Sequence, residues 1–315
     1  MRTTLLTAGL AAILTGQASA ATIGVSMQSF DDNFQTLLRN GISARAAQLD
    51  GVEVQLEDSQ RDVGKQISQV NNFIASSVDA IIVTLTDTST APAITSAAEA
   101  AGIPLVYLNL EPVNVAELPD NEAYVGSKET EAGMLGATEA CRILTEQGEQ
   151  QGGAHAYILM GDLAHNAALQ RTDSARAALN TDACKFIEVA DAQSAGWLRT
   201  QAMDLMTNWL TAGQPFDAVF ANNDEMAIGA IQAMKSSGVD LSKVVVVGVD
   251  ATPDGLAAMK AGELDVTVFQ NAAGQAAGAV DAALALARKE AVDQVVYIPF
   301  ELVTPKNMDK YTAKN

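Results

Sequence analysis

Two segments, Phe-Asp-Ala-Val-Phe-Ala-Asn-Asn-Asp-Glu-Met at 216–226 and Val-Val-Val-Val-Gly-Val-Asp-Ala-Thr-Pro-Asp-Gly at 244–255, share one pattern. Each begins as a mostly apolar run, which is typical of a parallel strand covered by helices on both faces. Each then ends in amides and carboxylates instead of a glycine-rich phosphate loop. Because ligands of open α/β sheets bind at the carboxyl ends of the strands, we expect Asn223 and Asp250 to face a neutral, hydroxylated ligand.

The same alternation of apolar runs and amphipathic helical segments continues along the chain. It favours an α/β fold with parallel sheets built from right-handed βαβ units. A length of 315 residues is long for one such core and suits two domains. From the residues alone, the elements after residue 266 belong to the second domain or return to the first. The predicted helices cover residues 33–49, 63–76, 91–101, 129–147, 168–179, 198–211 and 272–288. The predicted strands cover residues 22–26, 52–58, 80–84, 105–109, 122–125, 155–160, 186–190, 216–220, 244–249, 266–270 and 295–302.

The first twenty residues have the pattern of a secretory signal peptide. Arg2 supplies a positive charge, residues 5–14 form an apolar core, and Ala18-Ser19-Ala20 is a small-residue cleavage site. The apolar core is too short to span a bilayer. We therefore expect cleavage after Ala20 and export to the periplasm; a buried N-terminal helix is the alternative. A net charge of −19 argues against nucleic acid and anionic membranes as partners.

The chain has two cysteines, Cys141 and Cys184, and two histidines, His155 and His165. In an oxidising compartment the cysteines either form one disulfide or remain two buried thiols, and the sequence leaves both open. Two cysteines do not make a zinc site, and the histidines lack the spacing of metal ligands. We expect no metal and no cofactor.

The loop after the first predicted strand, Ser29-Phe30-Asp31-Asp32-Asn33-Phe34, combines carboxylates with aromatic rings. Asp and Asn are common helix N-caps, and Phe34 at the start of a helix is also a core candidate. A carbohydrate site uses the same residue types, since carboxylates accept hydrogen bonds from hydroxyls and aromatic faces cover C–H patches. The loop therefore predicts either a helix start or half of a sugar site.

Other candidates have ordinary structural explanations when taken singly. Trp197 opens a helix after a loop, where a core role is usual, and Arg171 lies in a helical segment, where a surface role is usual. The other polar candidates, however, all lie at or just after the ends of predicted strands. A purely structural explanation is therefore weaker for the whole set than for each residue alone. The residues at or just after predicted strand ends are Asp32, Asn109, Asn223, Asp250 and Gln270.

The chain resembles periplasmic sugar-binding proteins of the ribose/galactose type, the type I binding proteins of ABC importers. The motifs 219–227 and 247–255, together with Gly41, carry the resemblance, which covers essentially the whole mature chain. It implies two similar Rossmann-like domains with parallel sheets, joined by three crossover hinge strands, with the ligand cleft between them. The crossings would lie near residues 126, 270–271 and 300–302. The N-terminal lobe would hold residues 21–125 and about 271–300, and the C-terminal lobe about 126–270 and about 301–315.

The resemblance also implies a ligand set. Phe34 and Trp197 would stack on the ligand ring, Asp250 and Arg171 would bind its hydroxyls, and the amides would complete the polar shell. Matching positions give Asp32, Phe34, Asn109, Arg171, Trp197, Asn223, Asp250 and Gln270.

The chain departs from the ribose-type pattern, which has Asn at position 32, Phe at position 35 and Asp-Arg at 109–110. The combination of 30–34 with Asp-Leu-Met-Thr-Asn-Trp at 204–209 is more similar to the inositol- and rhizopine-binding branch. No calcium loop of the galactose-binding kind is evident. These departures favour a cyclic polyol, such as myo-inositol or a related inositol or monosaccharide.

The function that follows is capture of this polyol by hinge closure, with a monomeric protein delivering it to an ABC permease. A periplasmic sensor for a chemoreceptor would use the same site. An exported carbohydrate-active enzyme is a further alternative, which would require two carboxylates flanking one bond. Because nothing nearby resembles a nucleophile with its base, and a dinucleotide fingerprint is absent, we expect no enzyme.

Overall fold

A computed structural model describes residues 21–315, so the predicted signal peptide lies outside the described residues. The helices are α1 Asn33–Ala47, α2 Val63–Ala75, α3 Ala91–Ala101, α4 Glu129–Gln147, α5 Asn166–Leu179, α6 Arg199–Ala212, α7 Asp224–Ser236, α8 Pro253–Lys260 and α9 Ala272–Ala287. The strands are β1 Ala21–Met27, β2 Val52–Asp58, β3 Ala80–Val83, β4 Leu105–Asn109, β5 Glu122–Gly126, β6 Ala154–Met160, β7 Ile187–Ser194, β8 Ala218–Ala221, β9 Val245–Val247, β10 Thr267–Phe269, β11 Val295–Tyr297 and β12 Glu301–Val303.

The first sheet is entirely parallel, in the order β11-β5-β4-β3-β1-β2. Its central strands β3 and β4 are buried along their whole length, as expected for strands with helices on both faces. Helices α1 and α9 pack closely because Gly41 faces Ala276. A Cβ atom on Gly41 would lie 2.7 Å from the Cβ of Ala276.

The second sheet is parallel in the order β7-β6-β8-β9. An antiparallel pair, β10 and β12, continues it through bridges from Val247 to Val266 and from Asp250 to Phe269. The chain passes from the first sheet to the second after β5, returns before α9, and crosses again between β11 and β12. The predicted α/β class, with two domains built on parallel sheets, is confirmed.

The prediction of one final strand over 295–302 is wrong. Strand β11 pairs with β5 in the first sheet, whereas β12 pairs with β10 beside the second. Pro299 lies between them and has no N–H to donate to a ladder, so it divides the apolar run where the chain changes lobes. The sequence prediction also ended β7 at residue 190, whereas the strand continues to Ser194, and it omitted both α7 and α8.

The pairing left open for the cysteines is resolved, since Cys141 and Cys184 form a disulfide with their Cα atoms 5.6 Å apart. It ties α4 to the segment between α5 and β7. The second lobe is thus cross-linked far from the strand ends that carry the polar motifs.

Candidate functional site

A small cavity lies between the two lobes, where the carboxyl ends of the strands meet. All eight predicted ligand residues line it. The lining consists of Gln28, Asp32, Phe34, Gln35, Asn109, Leu110, His165, Ala167, Arg171, Trp197, Asn223, Asp250 and Gln270.

Asp32 and Asn223 each serve the fold and face the cavity. Asp32 is the N-cap of α1, where its Oδ1 accepts a hydrogen bond from the backbone N–H of Gln35 at 3.0 Å. Its Oδ2 lies 3.3 Å from Nη2 of Arg61. Burial raises the pKa of Asp32, while the Gln35 hydrogen bond and the Arg61 charge oppose the rise. Asn223 caps α7 in the same way. The two interpretations of these residues, helix cap and site residue, are therefore compatible.

Arg171 lies at the centre of a buried polar cluster and is not a surface residue. Its Nε donates to Glu129 at 2.5 Å, Nη1 to the carbonyl of Asn222 at 2.6 Å, and Nη2 to Oε1 of Gln270 at 3.1 Å. Nη1 lies 3.8 Å from Oδ1 of Asp250. Burial raises the pKa of Glu129, and that of Asp250 well above its usual range, while the Arg171 charge opposes both rises. The guanidinium thus orients the amide of Gln270 and faces the carboxylate of Asp250 at the cavity wall.

The indole of Trp197 is held by two neighbours. Its Nε1–H donates to Nδ1 of His165 at 2.8 Å, so the proton of a neutral imidazole must be on Nε2, which donates to the carbonyl of Thr86 at 3.0 Å. Burial lowers the pKa of His165. Gly161 makes room for the ring, since a Cβ there would lie 2.1 Å from the Trp197 side chain. His165 therefore connects the ring proposed to stack on the ligand with the opposite lobe.

Three cavity residues have a left-handed backbone that non-glycine residues rarely adopt. The φ angles are 72° at Asn109, 67° at Trp197 and 117° at Asp250. Such conformations cost about 1–3 kcal/mol each and cluster at functional sites. Side chains hold two of them, because the hydroxyl of Tyr124 donates to the carbonyl of Asn109 and the amide of Asn315 to that of Asp250, both at 2.9 Å. The strain lies where the ligand set was predicted.

Buried amides in the lining have atoms without partners. Among residues 21–315 no hydrogen-bond partner exists for Oε1 of Gln28, Oε1 of Gln35 or Nε2 of Gln270. An unpaired buried polar atom costs about 1–3 kcal/mol, so these atoms favour a ligand with hydroxyl groups.

The two lobes contact each other around the mouth of the cavity. Besides the bond from His165 to Thr86, these contacts pair Thr88 with the carbonyl of Ala164 at 3.0 Å, Asn33 with Glu225 at 2.6 Å and Arg61 with the carbonyl of Gly196 at 3.3 Å. The two lobes are therefore in contact with each other across the cleft, which is a closed arrangement.

The sequence prediction missed several lining residues and the nearby Arg61. Gln28 directly follows β1, and Gln35 follows Phe34. The expectation that ligands bind at the carboxyl ends of strands could therefore have identified both residues. No local signal identifies His165 or Arg61, because their roles depend on contacts with the opposite lobe.

Among residues 21–315, no group of three His, Cys, Asp or Glu side chains is placed to hold a metal ion. Within the same part of the chain, no helix is both long enough and apolar enough to cross a membrane. The expectation that the site needs neither metal nor cofactor stays a prediction.

Residues 23–291 match the family model described as a periplasmic binding protein domain. A protein of Rhizobium meliloti, provisionally named as rhizopine-binding, is 53% identical over 305 residues, which are 97% of each chain. The ribose import binding protein of Bacillus subtilis is 31% identical over 296 residues, 92% of this chain and 90% of that one.

Solved structures show the same fold. An ABC transporter solute-binding protein from Bacillus halodurans with bound myo-inositol has a TM-score of 0.87 and 39% identity, covering 96% of this chain and 100% of that one. The Caulobacter myo-inositol binding protein, bound to myo-inositol, has a TM-score of 0.82 and 25% identity, covering 94% and 97%.

Proposed function

The chain belongs to the periplasmic binding protein family, and from that premise we propose that it captures a cyclic polyol for an ABC importer. Family membership confirms the prediction of a binding protein rather than an enzyme. The ligand we propose is myo-inositol or a related inositol or monosaccharide. A sensor that presents the same ligand to a chemoreceptor is the alternative, and it would use the same site.

The observation that carries the proposal is the composition of the closed cavity. Phe34 and Trp197 supply aromatic faces, Asp250 supplies a buried carboxylate, and Gln28 and Gln35 supply acceptor atoms that have no partner within residues 21–315. Apolar faces with converging hydrogen-bonding groups suit a ring that has C–H patches and many hydroxyls. The myo-inositol bound to two proteins of similar fold supports a six-membered cyclic polyol.

We propose that binding drives closure of the two lobes. The boundaries of the lobes would follow the three crossings of the chain. The N-terminal lobe would hold residues 21–125 and about 271–300, and the C-terminal lobe about 126–270 and about 301–315. A ligand held by residues of both lobes favours the closed form, because only that form satisfies both sets of hydrogen bonds. The closed monomer, exported to the periplasm after cleavage behind Ala20, would then dock on the permease.

The test is calorimetry of the mature chain, residues 21–315, against inositols, amino-inositols, ribose and galactose. Amino-inositols are included because two carboxylates, Asp32 and Asp250, line the cavity. We expect tight one-to-one binding of at least one cyclic polyol. Replacing Asp250 by Asn should weaken binding about 10- to 100-fold, since it replaces an acceptor oxygen by an NH₂ group, and an unsatisfied buried hydrogen-bonding group costs about 1–3 kcal/mol.

The matched control is Asp182→Asn, whose carboxylate is fully exposed and should leave affinity unchanged. Absence of binding to every polyol would contradict the proposed function. Equal affinities of the two variants would contradict the assigned role of Asp250.

A further inference from the structure

A continuous chain of hydrogen bonds leads from a crossing between the lobes to the wall of the cavity. It begins at the carbonyl of Ile298, which follows β11, and ends at Gln35 in α1. The links are Ser127 Oγ to Ile298 O at 2.7 Å, Gln275 Nε2 to Ser127 Oγ at 2.9 Å, Asn109 Nδ2 to Gln275 Oε1 at 3.2 Å and Gln35 Nε2 to Asn109 Oδ1 at 3.2 Å.

The direction of this chain is set at its first link. A carbonyl only accepts, so the Ser127 hydroxyl donates to Ile298 and receives a hydrogen bond from the NH₂ group of Gln275. The oxygen of Gln275 then accepts from the NH₂ group of Asn109, whose own oxygen accepts from Gln35. Reversing any amide would set two donors or two acceptors against each other in a buried position. Every amide therefore has one orientation.

The last group in the chain is an acceptor at the cavity wall. Because Nε2 of Gln35 donates to Asn109, its Oε1 is the atom left for another partner. Gln35 is 2% exposed and lines the cavity, and no partner for Oε1 exists among residues 21–315. This atom accepts a hydrogen bond and does not donate one.

We propose that Gln35 is a specificity-determining residue, with its Oε1 accepting from one hydroxyl of the bound polyol and its polarity set by Ser127 at the crossing. The inference rests on the proposed function, since it requires a polyol in this cavity. It adds a rule of selection: the ligand must present a hydrogen-bond donor at this point. An ether, a fluorine or a bare CH₂ group at that carbon fails the requirement.

The experiment is calorimetry of the mature chain with myo-inositol and with its monofluoro analogues, each with one hydroxyl replaced by fluorine. Fluorine is close in size to the hydroxyl and cannot donate. Each analogue is measured with wild type and with Gln35→Met, which keeps the side-chain length but removes the amide. Gln48→Met at the exposed C-terminal end of the same helix is the matched control.

We expect one ring position at which fluorine weakens binding to wild type by about tenfold but leaves binding to Gln35→Met unchanged relative to myo-inositol. The control should retain the wild-type pattern. Ser127→Ala, whose side chain is not part of the cavity lining, should reduce the discrimination at that same position because the amides lose their fixed direction.

Two outcomes would overturn the proposal, and they have different meanings. If wild type binds inositols but Gln35→Met shows the same fluorine penalty at every ring position, Gln35 does not select the ligand and the proposed function stands. If wild type binds no inositol or monosaccharide, the proposed function fails as well.

Discussion

His165 should make ligand affinity depend on pH. In the closed form its Nδ1 receives a hydrogen bond from Trp197 and its Nε2–H donates to Thr86 of the opposite lobe. A protonated imidazole has N–H groups on both nitrogens and no acceptor for the indole. Protonation therefore breaks the link that holds the Trp197 ring, and burial of a charged imidazole between the lobes disfavours closure.

Whether affinity rises or falls with pH follows from the direction in which the pKa of His165 is shifted. Burial lowers the pKa of His165 from its ordinary 6.5, while the Thr86 carbonyl and the charges of Asp162 and Asp87 oppose this and Arg61 adds to it. We expect the ring to be hydrated in the open form, so that a proton binds the open form better than the closed form. Affinity is retained above the ordinary pKa and is lost as the pH falls below it.

The largest possible change of ligand affinity with pH is set by the fraction of the open form in which His165 is protonated. With an ordinary pKa of about 6.5, roughly 90% of the open form carries the proton at about pH 5.5, against roughly 10% at about pH 7.5. If the closed form binds no proton, the dissociation constant rises about tenfold between these pH values, or about 1.4 kcal/mol. Asp32 and Asp250 act in the opposite direction, because burial raises their pKa values and a proton on either favours the closed form.

The assay therefore compares variants rather than pH values alone. Calorimetry with myo-inositol is run across this pH range for wild type, His165→Gln and His155→Gln. The second histidine is the matched control, with a side chain that is 44% exposed. We expect the affinity ratio between the two pH extremes to be about tenfold larger for wild type and His155→Gln than for His165→Gln. The same pH profile in all three proteins would refute the assigned role of His165.

Gly161→Ala should move the Trp197 ring, because the added Cβ would lie 2.1 Å from it; we expect at least tenfold weaker polyol binding and altered tryptophan fluorescence. Unchanged affinity would show that the ring does not stack on the ligand. Burial raises the pKa of Glu122 to about 7, so its contribution to stability is present below the ordinary 4.5 and is lost as pH rises through 7. Glu122→Gln should therefore lose less thermal stability between pH 4.5 and 8 than wild type, as measured by circular dichroism; equal losses would argue against this burial effect.

Most helices and strands of each lobe, although not α7 and α8, could be predicted because local signals agree with the tertiary fold. Strand β4 and helix α3, for example, have the predicted bounds, since an apolar run and a helical period coincide there with turn residues. The prediction of one strand over 295–302 was wrong because an apolar pattern does not indicate which sheet a strand joins. Its division at Pro299 depends on where the two lobes lie in space.

The residues of the candidate site likewise fall into those that could be predicted from the sequence and those that could not. Residues at strand ends, such as Asp32 and Asp250, could be predicted because parallel strands bring their carboxyl ends to one edge. The burial of Arg171 against Glu129 has no counterpart in the local helical pattern, since the two residues come from different helices. The orientation of Gln35 likewise depends on a hydrogen-bond chain that ends at a distant crossing.

The central claim is that a cyclic polyol holds the two lobes together. Small-angle X-ray scattering of the mature chain, with and without myo-inositol and the other polyols of the calorimetric panel, measures this directly. We expect the radius of gyration to fall on adding the polyol that binds, with no change for sugars that do not bind. An unchanged radius of gyration with every polyol that binds would contradict capture by closure.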